Sequence, residues 1–259
     1  MSHDHPPVLV VAATSLELAP LRRALLGADT YPGPWDTLER GRLGELPVVL
    51  ATTGIGKVNA AAGLMAAVLA TRPRAVVQVG VGGAYLGSFL SNTMVVAASE
   101  ELQLDLGLRR ADGRWQGLEA LGFAATPARD GRPARTNVVP THAGLQAALR
   151  ELVGVPLLRF ATLDAITADV DLGAAMHNAY DVSIESMEGA AAAQVADRLG
   201  LPFAEVRSVS NLVGERDKRL WDLEGAVERG CRAVRSLLLG WDEHPATRSL
   251  TGSAVPGTS

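Results

Sequence analysis

Ser183-Ile184-Glu185-Ser186-Met187-Glu188-Gly189-Ala190-Ala191-Ala192 is the stretch on which the reading of this chain turns. A short β-forming run meets an alanine-rich helical run there, so the strand period gives way to the helix period within a few residues. Two carboxylates, Glu185 and Glu188, stand at that junction in an apolar setting, and a buried carboxylate without a partner is costly. One reading is an ordinary helix start, in which the helix dipole favours both glutamates. The other is a binding or catalytic site.

Outward from this junction the same alternation recurs. Val8-Leu-Val-Val-Ala-Ala predicts a buried strand, and residues 16–26 carry helical spacing. Residues 46–52 predict a second strand, followed by Gly54-Ile-Gly-Lys-Val-Asn and a helix over 60–70. Ala75-Val-Val-Gln-Val-Gly predicts a third strand ending in the glycines 80, 82 and 83; residues 93–98 and 203–208 predict two more, and 190–199 and 223–239 predict helices. Continuous apolar strands alternating with helices imply an α/β protein: a single-domain, three-layer fold with a central, mostly parallel (mixed) sheet flanked by helices. Residues 109–136 are rich in Gly, Arg and Pro with little periodicity, and predict a long excursion near an active site or a subunit contact. There is no internal repeat and no second domain boundary. The expected limits are a disordered start over 1–7, one domain over 8–241 and a disordered tail over 242–259.

Composition narrows the function classes. The formal net charge is −4, with no broad basic face, which argues against nucleic acid as the main partner. The single cysteine, Cys231, excludes an internal disulfide or a multi-cysteine metal site, and reads as a small buried residue of the last helix. No apolar run reaches the ~18 residues of a membrane span. The polar, acidic start lacks the basic and apolar regions of a signal peptide, so the expectation is a cytoplasmic protein with no membrane partner.

In sheets of this type ligands sit beyond the carboxyl ends of the strands. Four segments fall at such ends: 12–17, 52–57, 80–83 and 208–214. Gly54-Ile-Gly56 is followed by Asn59, so the dinucleotide fingerprint is absent; Ala51 and Val58 likewise exclude a P-loop. These glycines either permit tight turns or let backbone amides approach a small polar ligand.

Taken in order, these segments resemble the purine nucleosidase and nucleoside phosphorylase superfamily, over roughly residues 8 to 240. The likeness rests on a first strand with an acidic helix start at Glu17, the Gly-Ile-Gly-Lys string, a glycine-rich third strand end, Met187-Glu188 and the late Ser210-Asn211. Within the superfamily the chain is most similar to the futalosine hydrolases of menaquinone biosynthesis. The resemblance implies a nucleoside phosphorylase-like fold and hydrolysis of the N-glycosidic bond of futalosine, releasing hypoxanthine and dehypoxanthine futalosine. It assigns Glu17 to the attacking water, Glu188 to the ribose hydroxyls and Met187 to the sugar's underside, with Thr53 and Gly82 near the sugar or the nucleophile.

The departures matter as much. Methylthioadenosine nucleosidases carry Asp where this chain has Asn211; an asparagine can donate to O6 and accept from a protonated N7, which suits a 6-oxopurine. Ile166 stands where those relatives place a base-stacking Phe, and Thr167 would offer its backbone or hydroxyl to the base edge. For the carboxylate at the far end of futalosine the candidate cation is Arg216, with Arg207 and Lys218 after it. No metal or organic cofactor is implied, and His142 and His177 read as structural. The partner expected is a small nucleoside, and relatives imply a homo-oligomer, dimer or larger. The competing readings are a methylthioadenosine/S-adenosylhomocysteine nucleosidase, a purine nucleoside phosphorylase and a non-catalytic nucleoside-binding module.

Overall fold

The computed structural model describes residues 5–129 and 131–250. In chain order the elements are β1 (Val8–Ala12), α1 (Ser15–Ala24), β2 (Leu26–Pro32), β3 (Thr37–Leu43), β4 (Leu46–Thr52), α2 (Lys57–Thr71), β5 (Ala75–Ala84) and β6 (Val95–Gln103). They continue with β7 (Leu108–Arg109), β8 (Trp115–Gln116), β9 (Val138–Pro140), α3 (Ala143–Ala148), β10 (Leu157–Thr162), α4 (Val170–Tyr180) and β11 (Ile184–Ser186). Last come α5 (Gly189–Leu199), β12 (Phe203–Leu212), α6 (Leu223–Leu239) and α7 (Pro245–Arg248).

The central sheet is mixed, in the order β11-β10-β6-β12-β5-β1-β4-β3-β2. The β1, β4, β5 and β12 strands pair in parallel, whereas β12 and β6 run antiparallel. Because β11 pairs with β10 on one side and with β5 on the other, five strands close into a ring. Successive residues of β1 point to opposite faces. Val8 and Val10 join Leu18, Leu21, Val234 and Leu237 from α1 and α6, while Leu9 and Val11 join Leu64, Val68, Ala192 and Ala196 from α2 and α5. A strand covered on both faces needs apolar residues at every position, which is why Val8–Ala12 shows no alternation. Full burial of each such Leu or Val contributes about 1.5–3 kcal/mol.

Three sequence expectations change. The glycines 80, 82 and 83 do not end the third strand; β5 continues through them to Ala84. The 242–259 tail is packed over 242–250: Pro245 opens α7, the Thr247 hydroxyl donates to the Trp241 carbonyl at 2.6 Å, and Leu250 packs on the α1–α6 core. Arg74 likewise holds the carbonyls of Pro6 and Pro7. Residues 1–4 and 251–259 of the expected disordered ends lie outside the described residues. In the 109–136 excursion, none of the described residues lines the cavity discussed next. No helix among the described residues is long and apolar enough to cross a membrane.

Candidate functional site

A cavity of about 340 Å³ opens at the carboxyl ends of β1, β5 and β12, where the strand ring closes. Glu17, Gly82, Ile166, Thr167, Met187, Glu188 and Asn211 all line it, although they come from five separate segments of the chain. Thr53 and Arg216 do not. The Thr53 hydroxyl is buried against the Ala12 carbonyl at 3.2 Å. Arg216 is exposed and stacks on Trp221 at 5.3 Å; it is that ring which forms part of the wall.

Glu17 is set by the start of α1. Thr14 caps the helix in a reciprocal capping box, donating its amide and hydroxyl to Glu17 Oε2 at 3.0 and 2.9 Å. The Val81 amide donates to Oε1 at 3.1 Å, which leaves that oxygen one lone pair for a further donor. Glycine at 80 is required by space: a Cβ there would lie 2.8 Å from Glu17 Oε1 and would run into Arg207.

Glu188 occupies the non-helical residue between β11 and α5, with φ −127° and ψ −34°. Its Oε1 accepts from the Gly56 amide at 3.0 Å and its Oε2 from Arg207 Nη2 at 3.1 Å. Each oxygen keeps one acceptor position. Gly56, with φ at +89°, adopts a conformation that a side chain would strain. The Gly-Ile-Gly-Lys segment thus aims a backbone amide at Glu188, and the Lys57 amide at Asp164 Oδ1.

Arg207 lies 3% exposed between three carboxylates. Its Nε donates to Glu205 Oε1 at 2.5 Å, its Nη1 to the Val81 carbonyl at 2.9 Å and its Nη2 to Glu188. Burial alone would lower the guanidinium, but Glu205, Glu188 and Glu17 outweigh it and raise it above its ordinary value. Arg207 is therefore not available to a carboxylate at the far end of a ligand, which corrects its place behind Arg216 in the sequence reading. Breaking a buried ion pair of this kind costs about 3–5 kcal/mol.

A further wall of the cavity is built around β5. Asn211 and Glu185 both pair with Gly83, from β12 on one side and β11 on the other. Asn211 Nδ2 donates to the Leu212 carbonyl at 2.9 Å, while Oδ1 accepts from the Ser210 hydroxyl at 2.8 Å. A carbonyl can only accept, so the amide cannot be flipped. It retains one N–H and one lone pair for a ligand. Glu185 is buried, and Oε2 accepts from Tyr85 and Thr167 hydroxyls at 2.9 and 2.6 Å; the Thr167 amide donates to Oε1 at 2.9 Å. Thr167, expected to offer its backbone or hydroxyl to a base, spends both on Glu185, whose Oε1 keeps a lone pair. Burial, then Glu185, push the Tyr85 hydroxyl far up, so it stays a donor.

Sequence reasoning left Glu185 and Ser210 without a task and missed Glu205. The signal was present in Glu205-Val-Arg207: two charges two residues apart, on one face of a strand otherwise too apolar to reach water. Cys231 is buried as expected, and its thiol, pushed up to about 12 by burial, donates to the Glu17 carbonyl at 2.9 Å.

The Phosphorylase superfamily model matches residues 7–239. The futalosine hydrolase of Thermus thermophilus is 36% identical over 190 residues, covering 73% of this chain and 80% of that protein. The 5'-methylthioadenosine/S-adenosylhomocysteine nucleosidase of Geobacillus kaustophilus is 29% identical over 236 residues, or 88% and 95% of the two chains. Among solved structures, native futalosine hydrolase of Helicobacter pylori superposes with a TM-score of 0.77 at 20% identity, covering 91% of this chain and 98% of that one, a likeness of fold.

Proposed function

The chain belongs to the phosphorylase superfamily, and on that premise we propose that it hydrolyses the N-glycosidic bond of futalosine, releasing hypoxanthine, as an enzyme of menaquinone biosynthesis. The observation that carries this reading is the pair Glu17 and Glu188 on one cavity with Arg207 between them. Ribose would rest on Met187, its two hydroxyls donating to the acceptor positions left on Glu188 Oε1 and Oε2. As N9 leaves C1′ with the bonding pair, positive charge grows on the sugar, and the carboxylates favour it. Water held by the open lone pair of Glu17 Oε1 bonds to C1′ and gives its proton to that carboxylate. Negative charge on the departing base is met by protonation at N7 from solvent water, and the resulting N–H donates to Asn211 Oδ1.

The base contacts favour a 6-oxopurine. The free N–H of Asn211 donates to O6, and the free lone pair of Glu185 Oε1 accepts from N1–H. Adenine presents an amino group and a bare N1 at those positions, leaving both protein groups unpaired. Water is favoured over phosphate by charge: Glu17, Glu185 and Glu188 line the cavity, and Arg207, its described cation, is already paired. We read the protein as cytoplasmic and as a homo-oligomer, the second supported by exposed apolar residues such as Val58 at 79% and Phe89 at 75%.

Base release from futalosine, inosine and methylthioadenosine, with and without phosphate, tests the proposal by chromatography. Hypoxanthine from futalosine without phosphate is expected. Adenine from methylthioadenosine would overturn the base assignment, and a requirement for phosphate would overturn hydrolysis. No release from any of the three would leave a binding module.

A further inference from the structure

Beyond the lining of the cavity lies a second carboxyl pair. Glu101 on β6 and Glu205 on β12 are both 0% exposed. Glu205 Oε2 and Glu101 Oε1 meet no donor among the described residues. The backbone of Gly189, first residue of α5, rests on both: a Cβ there would overlap Glu205 Oε2 and lie 2.5 Å from Glu101 Oε2. The Ala190 amide, in the same helical turn, donates to the Thr162 hydroxyl at 2.8 Å, and that hydroxyl donates to Glu101 Oε2 at 3.2 Å.

We propose that Glu205 and Glu101 are positioning residues for the hydrolysis: wedged between the β6–β12 strands and the first turn of α5, they hold the Arg207 guanidinium in the orientation that serves Glu188 and faces Glu17. The inference rests on the hydrolase reading of the cavity. Its geometry is a continuous line of contacts. Thr162 holds Glu101, Glu101 abuts Glu205, Glu205 Oε1 takes Arg207 Nε, and the two far ends of the guanidinium go to the Val81 carbonyl and Glu188 Oε2. Arg207 Nη1 and Glu17 Oε1 share the space left by the missing side chain of Gly80. A guanidinium anchored only at its tip can rotate about its last bonds; the Glu205 contact at Nε fixes its plane.

Two unprotonated carboxylates cannot face one another at zero exposure. Burial, and then the neighbouring Glu205, push Glu101 well above the usual carboxylate range. One proton therefore lies between the two, Glu101 donates it to Glu205, and the pair presents a single negative charge to Arg207. Of the charged groups around this point, Glu17 and Glu188 face Arg207 from the cavity side, and Glu205 and Glu101 from beneath α5.

The test compares Glu205→Leu, Glu205→Gln and Glu101→Gln with the parent, in three readouts: kcat and KM on a purine nucleoside the parent cleaves, thermal midpoint, and the infrared carbonyl band of a protonated carboxylic acid at neutral pH. Glu205→Leu is expected to lose about 10²-fold in kcat with little change in KM, since a misplaced guanidinium misaligns the reacting groups. Glu205→Gln keeps an acceptor for Arg207 Nε, so it should recover most of that loss. Glu101→Gln should remove the infrared band and lower kcat by less than Glu205→Leu does. Losses in kcat that follow the thermal midpoint, or that fall on KM alone, would overturn the positioning role, as would the absence of the band in the parent. A parent that cleaves no purine nucleoside refutes the hydrolase reading and the positioning role together; a parent that cleaves, with variants that match it, refutes the positioning role alone.

Discussion

Replacing Asn211 by Asp should move the enzyme from 6-oxopurines toward 6-aminopurines, and the structure sets the size of the move. Asn211→Asp keeps the hydrogen bond from Ser210, because Oδ1 is retained. It loses the bond to the Leu212 carbonyl, which then faces a carboxylate oxygen. That loss is common to every substrate and cancels from a ratio of rates. What does not cancel is the contact at purine position 6. For an oxopurine, a donor is exchanged for an acceptor and a bond is lost; for an aminopurine the same exchange creates one. Each change is worth about 1–3 kcal/mol, so the ratio of kcat/KM for futalosine over methylthioadenosine should fall by about 2–6 kcal/mol, or roughly 30-fold to 10⁴-fold. In the proposed mode of binding Glu185 still faces N1 and still prefers N1–H, so full reversal calls for a second substitution there. The assay is chromatographic base release from both nucleosides with parent and variant. If both rates fall together and the ratio stays in place, Asn211 merely ties the end of β12, and the assignment of the base is wrong.

Other perturbations follow from packing and charge. Gly189→Ala places a methyl group against both Glu101 and Glu205, and should destabilise by about 1–3 kcal/mol in urea unfolding, as overpacked cores do. No loss would mean the carboxyl pair can move away. Trp241, fully buried where α6 meets α7, should cost about 3–5 kcal/mol as Ala. Trp241→Phe should cost much less, because it also removes an indole N–H that has no acceptor among the described residues; equal costs would refute that. His142 is lowered from 6.5 by burial, so its neutral form is favoured in the fold. That contribution is present above the ordinary value and is lost as pH falls through the lowered one. The thermal midpoint should therefore fall on acidification below 6.5, and less steeply in His142→Gln; parallel profiles would exclude His142 as the group responsible.

Where a residue's neighbours lie close in sequence, the sequence reading and the structure agree. Residues 46–52 and 223–239 form a strand and a helix with those limits, since unbroken apolar runs and helical spacing are local patterns. The hairpin β2–β3 went unread because its strands are exposed and polar, and β10 because it carries Arg159 within a half-buried face. The cavity likewise collects Glu17, Met187, Glu188 and Asn211, each at the end or start of a predicted element. Arg207 and Thr167 had identities that were visible and partners that were not. Beyond Glu205 on its own strand, Arg207 reaches Glu188 and the Val81 carbonyl, and Thr167 reaches Glu185, contacts between separate segments that no local spacing encodes.

The closed ring of β5, β12, β6, β10 and β11 has a consequence for how such an enzyme can diversify. Ile184 and Glu185 have strand neighbours on both sides, so the chain cannot gain or lose a residue there without breaking pairings all round the circle. The chemistry seated on the ring can therefore change only by exchange of side chains at constant length, as Asn for Asp at 211. Ile166, Gly214 and Trp221 belong to connections outside it and can lengthen, shorten or be replaced wholesale. Descendants of this chain would inherit one way of breaking a glycosidic bond, and acquire new substrates at the rim.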